Sequence, residues 1–303
     1  MIATRSIGTQ EVLDVISADP PICFEELALS LSTSLNLPME DTREELGKQS
    51  GPLSALIQEE MVESIPVGEG FIFYPTDMDI KELKVLLKQI ESLGSLVRNI
   101  TLLEGKKGRG KSLAAIALAN KMRKFFGIPT VTIGSNMDLQ DTFGPYVYLN
   151  EKDFINNLEG ITKISKATEE GELGDAIETV MSHMGVSVTN ALLIFDEAYK
   201  FFDCRTPSDK LVRVFGYFVA QSRHYKSSIM LLSPNRDMID KRVRRQVDFF
   251  GRCFTNHKTH ITTVRLRGGA DSWRMRIYGP KYWDMYDTHA LLGFRTKHLQ
   301  FKE

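Results

Sequence analysis

Residues 104–112 read Glu-Gly-Lys-Lys-Gly-Arg-Gly-Lys-Ser, four cations set among three glycines, and the segments on either side decide the fold. The apolar run Leu96 to Leu103 has the pattern of a buried strand. Lys111 to Phe126 has that of a helix, and its small residues Ala114, Ala115, Ala117 and Ala119 permit close packing on a sheet. A strand, a G-x4-G-K-S turn and a helix, in that order, make a phosphate-binding loop. Gly105, Gly108 and Gly110 let the backbone turn so that N–H groups point inward at phosphate oxygens, and the helix adds its positive end. Lys111 is placed to reach the β- and γ-phosphates of ATP, and the Ser112 hydroxyl to ligate Mg2+. Lys106, Lys107 and Arg109 exceed what the motif demands; γ-phosphate, a neighbouring subunit and solvent all remain open to them.

A second apolar run, Ala191 to Phe195, ends in Asp196 and Glu197. Acids at the C-terminal end of a parallel strand lie at the crevice where such sheets bind ligands, so the two strand tips are expected side by side. Asp196 would then hold Mg2+ through water and Glu197 would polarise the attacking water, which makes the chain a hydrolase rather than a mere nucleotide binder. The strand-like IPTVTI lies between the two motifs.

Downstream, DEAYKFF, GYFVAQSRHYKSSIMLLSP and NRDMIDKRVRRQVDFF resemble the FtsK/HerA group of DNA-pumping ATPases, especially its viral genome-packaging and zonula-occludens-toxin-like branch. PYVYLNEKDF upstream and MYDTHALL near the C-terminus are similar to that branch too. The resemblance spans about residues 96 to 290. It implies a RecA/ASCE-like P-loop NTPase fold working as a homo-oligomeric ring, usually a hexamer, in which one subunit's arginine completes the next subunit's site. Arg223, Arg244 and Arg245 are the candidates, each of which is equally compatible with a solvated basic face. The resemblance also implies a polar sensor after the strand Ser228 to Leu232. The family usually has Gln there; this chain has Ser233-Pro234-Asn235, so Asn235 is the candidate for the missing amide.

The rest of the chain bounds the partners. Residues 1–75 carry three Lys/Arg against thirteen Asp/Glu, whereas residues 201–303 carry twenty against nine. A basic back half suits an anionic partner such as nucleic acid. In the front part, Gln10–Ala18, Phe24–Leu35 and Pro52–Met61 have helical apolar spacing, and MVESI and FIFY flank a glycine-bearing turn. Three helices and a two-stranded wing resemble a winged-helix domain. Its acidity argues against phosphate contact, so residues 1–75 are read as an adaptor that faces protein, for example a capsid component, or packs on its own ATPase neighbour, and residues 76–303 as the ATPase domain. Asp79 is expected to cap a helix that Gly94 ends.

In THITTVRLRGGADSWRMRIYG, alternation puts Val264, Leu266, Trp273, Met275 and Ile277 on one face and Arg265, Arg267, Arg274 and Arg276 on the other. That suits sequence-independent contact with a phosphate backbone or a subunit interface; a charged edge hairpin that discourages aggregation fits as well. Cys23, Cys204 and Cys253 form no CxxC pair, and Cys253, His257 and His260 lack a fourth ligand at a metal-site spacing. No apolar run approaches a membrane span, so the chain is expected in the cytoplasm, and the viral resemblance implies that of a host cell, with association at a virion vertex.

The expected fold is therefore a mostly parallel α/β sheet flanked by helices behind a small winged-helix-like module. The expected activity is ATP hydrolysis, which the resemblance implies drives translocation of double-stranded DNA into a capsid. Two alternatives stand beside it: an ATPase for phage or filament assembly or export, and a nucleotide-controlled adaptor without motor activity.

Overall fold

The computed structural model describes residues 7–18, 22–35, 37–49, 51–67, 70–133, 146–149, 181–182, 187–205, 210–269 and 271–285. The chain divides into two compact units, Met1–Ser95 with Lys121–Ile128, and Leu96–Asn120 with Pro129–Glu303.

The first unit begins α1 (Thr9–Ala18), β1 (Ile22–Cys23), α2 (Phe24–Leu35), α3 (Met39–Gly47) and α4 (Pro52–Gln58), and continues β2 (Val62–Val67), β3 (Gly70–Pro75) and α5 (Ile80–Gly94). Helix α3 has no counterpart in the sequence reading. Only Thr42 and Leu46 of it are buried, too few for an apolar period to stand out among its acids. Pro52 occupies the first turn of α4, where its missing N–H costs nothing. Asp79 caps α5 by accepting from the Lys81 N–H at 2.8 Å. The three strands pair antiparallel in the order β1-β3-β2, and Val12, Ile16, Leu27, Leu31, Leu56 and Phe73 lie in their common core. Helix α5, read from sequence as the start of the ATPase domain, is counted in this unit.

The second unit is one sheet of eight strands among the described residues, ordered β11-β10-β9-β4-β8-β7-β5-β6. Its strands are β4 (Ile100–Glu104), β5 (Thr130–Ile133), β6 (Tyr146–Leu149), β7 (Leu192–Phe195), β8 (Ser228–Ser233), β9 (Phe249–Asn256), β10 (Ile261–Gly268) and β11 (Asp271–Tyr278). The six from β9 through β6 run parallel; β10 and β11 are added antiparallel. The helices are α6 (Lys111–Phe126), which is counted with the first unit from Lys121 onward, α7 (Lys210–Gln221) and the short α8 (Lys241–Arg244). This is the mostly parallel sheet with flanking helices of a P-loop NTPase.

Two sequence expectations need correction. The strand before the loop starts at Ile100, because residues 95–98 form a turn in which Arg98 takes a positive φ of 61°. The strands carrying the loop and the acids are also not neighbours: β8 stands between β4 and β7, so their axes are about 10 Å apart. The arginine-bearing segment folds as expected into β10 and β11, with Val264 opposite Met275 and Arg265 opposite Arg274. Of PYVYLNEKDF only β6 is described, and MYDTHALL beyond Met285 lies outside the described residues.

Candidate nucleotide site

The loop closes as its glycines require. Gly108 and Gly110 adopt φ of 73° and 80°, a region that side-chain-bearing residues enter only with strain. Gly110 also sits where a Cβ would come within 2.5 Å of the Thr255 hydroxyl and 2.6 Å of that of Thr262. These two threonines, bonded to each other at 2.8 Å, back the loop from β9 and β10, a role that the sequence reading missed because nothing local marks it. Gly105 N–H donates to the Ser233 carbonyl at 3.3 Å, fastening the loop to the end of β8. Lys106, Lys107 and Arg109 are exposed, while Lys111 is buried.

Ser112 bridges the gap that β8 leaves. Its Oγ lies 3.5 Å from Asp196 Oδ2, a separation that oxygen ligands of one small cation, or of its water, can share. The turn after β7 is held from below by rings. Phe195 makes edge contacts with Phe201, Phe202 and Phe215 at centroid distances of 5.5 to 5.9 Å, so the FDEAYKFF segment wraps its own acid turn around an aromatic knot. Glu197 has a left-handed backbone, φ 49° and ψ 48°, rare for a residue with a side chain and often found where function imposes strain. Its N–H donates to Asp196 Oδ1 at 2.9 Å.

Burial pushes the Asp196 carboxyl up to about 6; the neighbouring Glu197 charge adds to the shift, and the Glu197 N–H, Lys111 and Lys200 oppose it. Glu197 Oε2 is buried without a hydrogen-bond partner. A raised carboxyl and an unsatisfied carboxylate oxygen beside a buried lysine are what a metal–phosphate group would relieve, so the residues fit Mg2+ with a nucleotide. Among the described residues no three His, Cys, Asp or Glu side chains form a metal site by themselves; Mg2+ ordinarily takes its remaining ligands from phosphate and water. Cys253 is buried, its thiol pushed up to about 12 by that burial, and His260 packs edge-on to Trp283.

The Asp196 shift predicts a pH dependence. Its folded pKa lies above that of the unfolded chain, so protonation favours folding, and this contribution is lost as pH rises through about 6. The full penalty is about 3 kcal/mol at 1.36 kcal/mol per pH unit. Urea unfolding without nucleotide should show Asp196→Asn more stable than wild type at pH 7.5, with the gap shrinking at pH 5. A constant gap would contradict the burial of this charge.

The remaining candidates are placed as follows. Asn235 follows the end of β8, between the loop strand and the acid strand, but its Oδ1 already accepts from the Asp237 N–H at 3.0 Å. Arg223 lies past the end of α7 and pairs with Asp248 at 3.0 Å. Asp248 in turn accepts from the Ile100 N–H, which puts Arg223 at the end of β4 opposite the phosphate loop. Arg244 pairs with Asp237. Arg245 is exposed behind α8, whose N-cap, Asp240, accepts from the Arg242 N–H. The structure thus brings Lys111, Ser112, Asp196 and Glu197 together and leaves the three arginines outside that cluster within the chain.

No helix among the described residues is long and apolar enough to cross a membrane. Residues 99–264 match the family described as Zonular occludens toxin (Zot). Among solved structures, the N-terminal domain of zonular occludens toxin from Neisseria meningitidis is 16% identical with a TM-score of 0.41, covering 63% of this chain and 100% of that one. The genome packaging NTPase of Sulfolobus turreted icosahedral virus 2 in complex with ATP-gammaS is 15% identical, TM-score 0.39, over 59% of this chain and 96% of that one. A KaiC-like protein from Pyrococcus horikoshii OT3 is 10% identical, TM-score 0.34, over 60% and 84%. No curated protein matches the sequence.

Proposed function

Because the chain belongs to the Zonular occludens toxin family, and because its phosphate loop and acid pair meet in one buried cluster, we propose that it is an ATPase of the viral packaging or assembly type. The observation that carries this reading is the 3.5 Å approach of Ser112 to Asp196, with Lys111 and Glu197 at the same place. Lys111 would neutralise the β- and γ-phosphates, and Ser112 and Asp196 would hold Mg2+. The metal would supply charge neutralisation on the phosphates. Glu197, its free carboxylate oxygen already desolvated, would orient the water that attacks the γ-phosphate and take its proton. Asn235 would sense the γ-phosphate, at the cost of its present capping bond. An arginine from a neighbouring subunit, Arg223, Arg244 or Arg245, would complete the site in a ring, Arg223 or Arg244 by leaving its present carboxylate partner, and such a group in trans can raise phosphoryl transfer by about 10³ to 10⁵.

We take the task of the motor to be moving DNA, with double-stranded DNA the form that the FtsK/HerA resemblance implies and a hexameric ring the assembly. The first unit would be a winged-helix-like adaptor; its β1-β3-β2 sheet supports that reading, and exposed Ile57, Met61 and Phe71 give it apolar surface for a capsid or other protein partner. ATP turnover with and without duplex DNA, measured alongside the solution mass, tests the assignment. A motor gives turnover that rises with DNA, falls with salt and accompanies a ring-sized mass. Slow turnover indifferent to DNA in a monomer would instead mean a nucleotide-controlled adaptor.

A further inference from the structure

Strands β9, β10 and β11 present an open face that the nucleotide site does not use. In register across it stand Arg252, Arg265 and Arg274, with Arg276 two residues further along β11. Like charges placed directly opposite one another destabilise a sheet. Protection of an edge explains Arg274 and Arg276 on the outermost strand, but β9 and β10 are interior strands, so it explains neither Arg252 nor Arg265. Among the described residues Arg252 has one carboxylate neighbour, Glu104 at 3.4 Å, and no ion pair is made by Arg265, Arg274 or Arg276.

The same face carries two aromatic rings in the open. Phe254 is 40% exposed and Tyr278 60% exposed, roughly 12 Å apart by strand spacing and rise. The Arg252 and Arg265 guanidiniums lie 5.8 and 5.6 Å from the Phe254 ring centre, which draws two repelling cations to one aromatic surface. Cations that follow a phosphate chain, interleaved with rings that accept bases, are the two components of single-strand recognition. A duplex keeps its base faces stacked and could use only the arginines without being unstacked.

We propose that the outward face of β9–β11 binds single-stranded nucleic acid without sequence preference, through phosphate contacts at Arg252, Arg265, Arg274 and Arg276 and base stacking at Phe254 and Tyr278. The site goes beyond the motor reading and is independent of ATP, so its failure would leave that reading in place.

Fluorescence anisotropy of the full chain, without nucleotide, with a labelled oligothymidine and a labelled duplex of equal length, tests it. Wild type binds the oligothymidine more tightly. Phe254→Ala and Tyr278→Ala each weaken oligothymidine about five- to hundredfold and leave duplex binding within about twofold, the duplex being held by charge alone. Arg265→Ala with Arg274→Ala lowers the salt slope for the single strand by about 1.4. Phe254→Trp, which keeps an aromatic side chain at that position, shows emission quenched by oligothymidine beyond any change in wild type, whose Trp273 and Trp283 also emit. The proposal is overturned by duplex binding as tight as single-strand binding, by unchanged oligothymidine affinity in both aromatic variants, or by an unquenched Trp. It is equally overturned if the arginine pair alters the solution mass and leaves DNA binding intact, which would make the face an interface between copies.

Discussion

Glu197→Gln is expected to bind ATP within a few-fold of wild type while turnover falls by about two to four orders of magnitude, the usual share of a positioned general base. Gln keeps the length of the side chain but cannot accept the proton of the attacking water. Binding should survive because Lys111, Ser112 and Asp196 are untouched; burial, the main cause of the raised Asp196 carboxyl, remains, and removing the Glu197 charge relieves the smaller repulsive part. Radiolabelled ATP retention on a filter, beside steady-state phosphate release, separates the two properties. Turnover at the wild-type rate would remove Glu197 from the chemistry.

Gly110→Ala is expected to abolish detectable ATP binding and to lower the melting temperature. A Cβ at φ 80° costs about 1–2 kcal/mol by itself, and here it also meets the Thr255 and Thr262 side chains at 2.5 to 2.7 Å. Both are β-branched and stiff, so the loop rather than the sheet must move. Gly108→Ala is the internal control: its φ is 73°, yet a Cβ there meets nothing within 4 Å, so it should bear the strain alone and melt at the higher temperature of the two. Equal melting temperatures would mean that the threonines do not back the loop.

The chemistry of the site was more legible in the sequence than its architecture. G-x4-G-K-S located Lys111 and Ser112, and an apolar run ending in two acids located Asp196 and Glu197, because each local pattern is dictated by what a strand tip can present to phosphate. That β8 separates those strands was not legible, since strand order is set by non-local pairing. The β10–β11 alternation was read correctly from the buried residues it spaces. The same alternation in FFGRCFTN places Arg252 and Phe254 on one face, but that pattern carries meaning only once β9 is known to lie beside β10. Thr255 and Thr262 were invisible for a related reason: their contact with Gly110 joins segments about 150 residues apart. Helix α3 escaped notice because it buries little, and the left-handed backbone of Glu197 leaves no compositional trace.

Ser112, in the first turn of α6, and Asp196, just past the end of β7, are expected to hold one metal ion with the nucleotide. Titration of a fluorescent non-hydrolysable ATP analogue with and without Mg2+, in wild type and Asp196→Asn at pH 7.5, tests it most directly. Mg2+ is expected to tighten binding to wild type by at least about tenfold, and Asp196→Asn to lose most of this gain. A full Mg2+ effect in Asp196→Asn would contradict it.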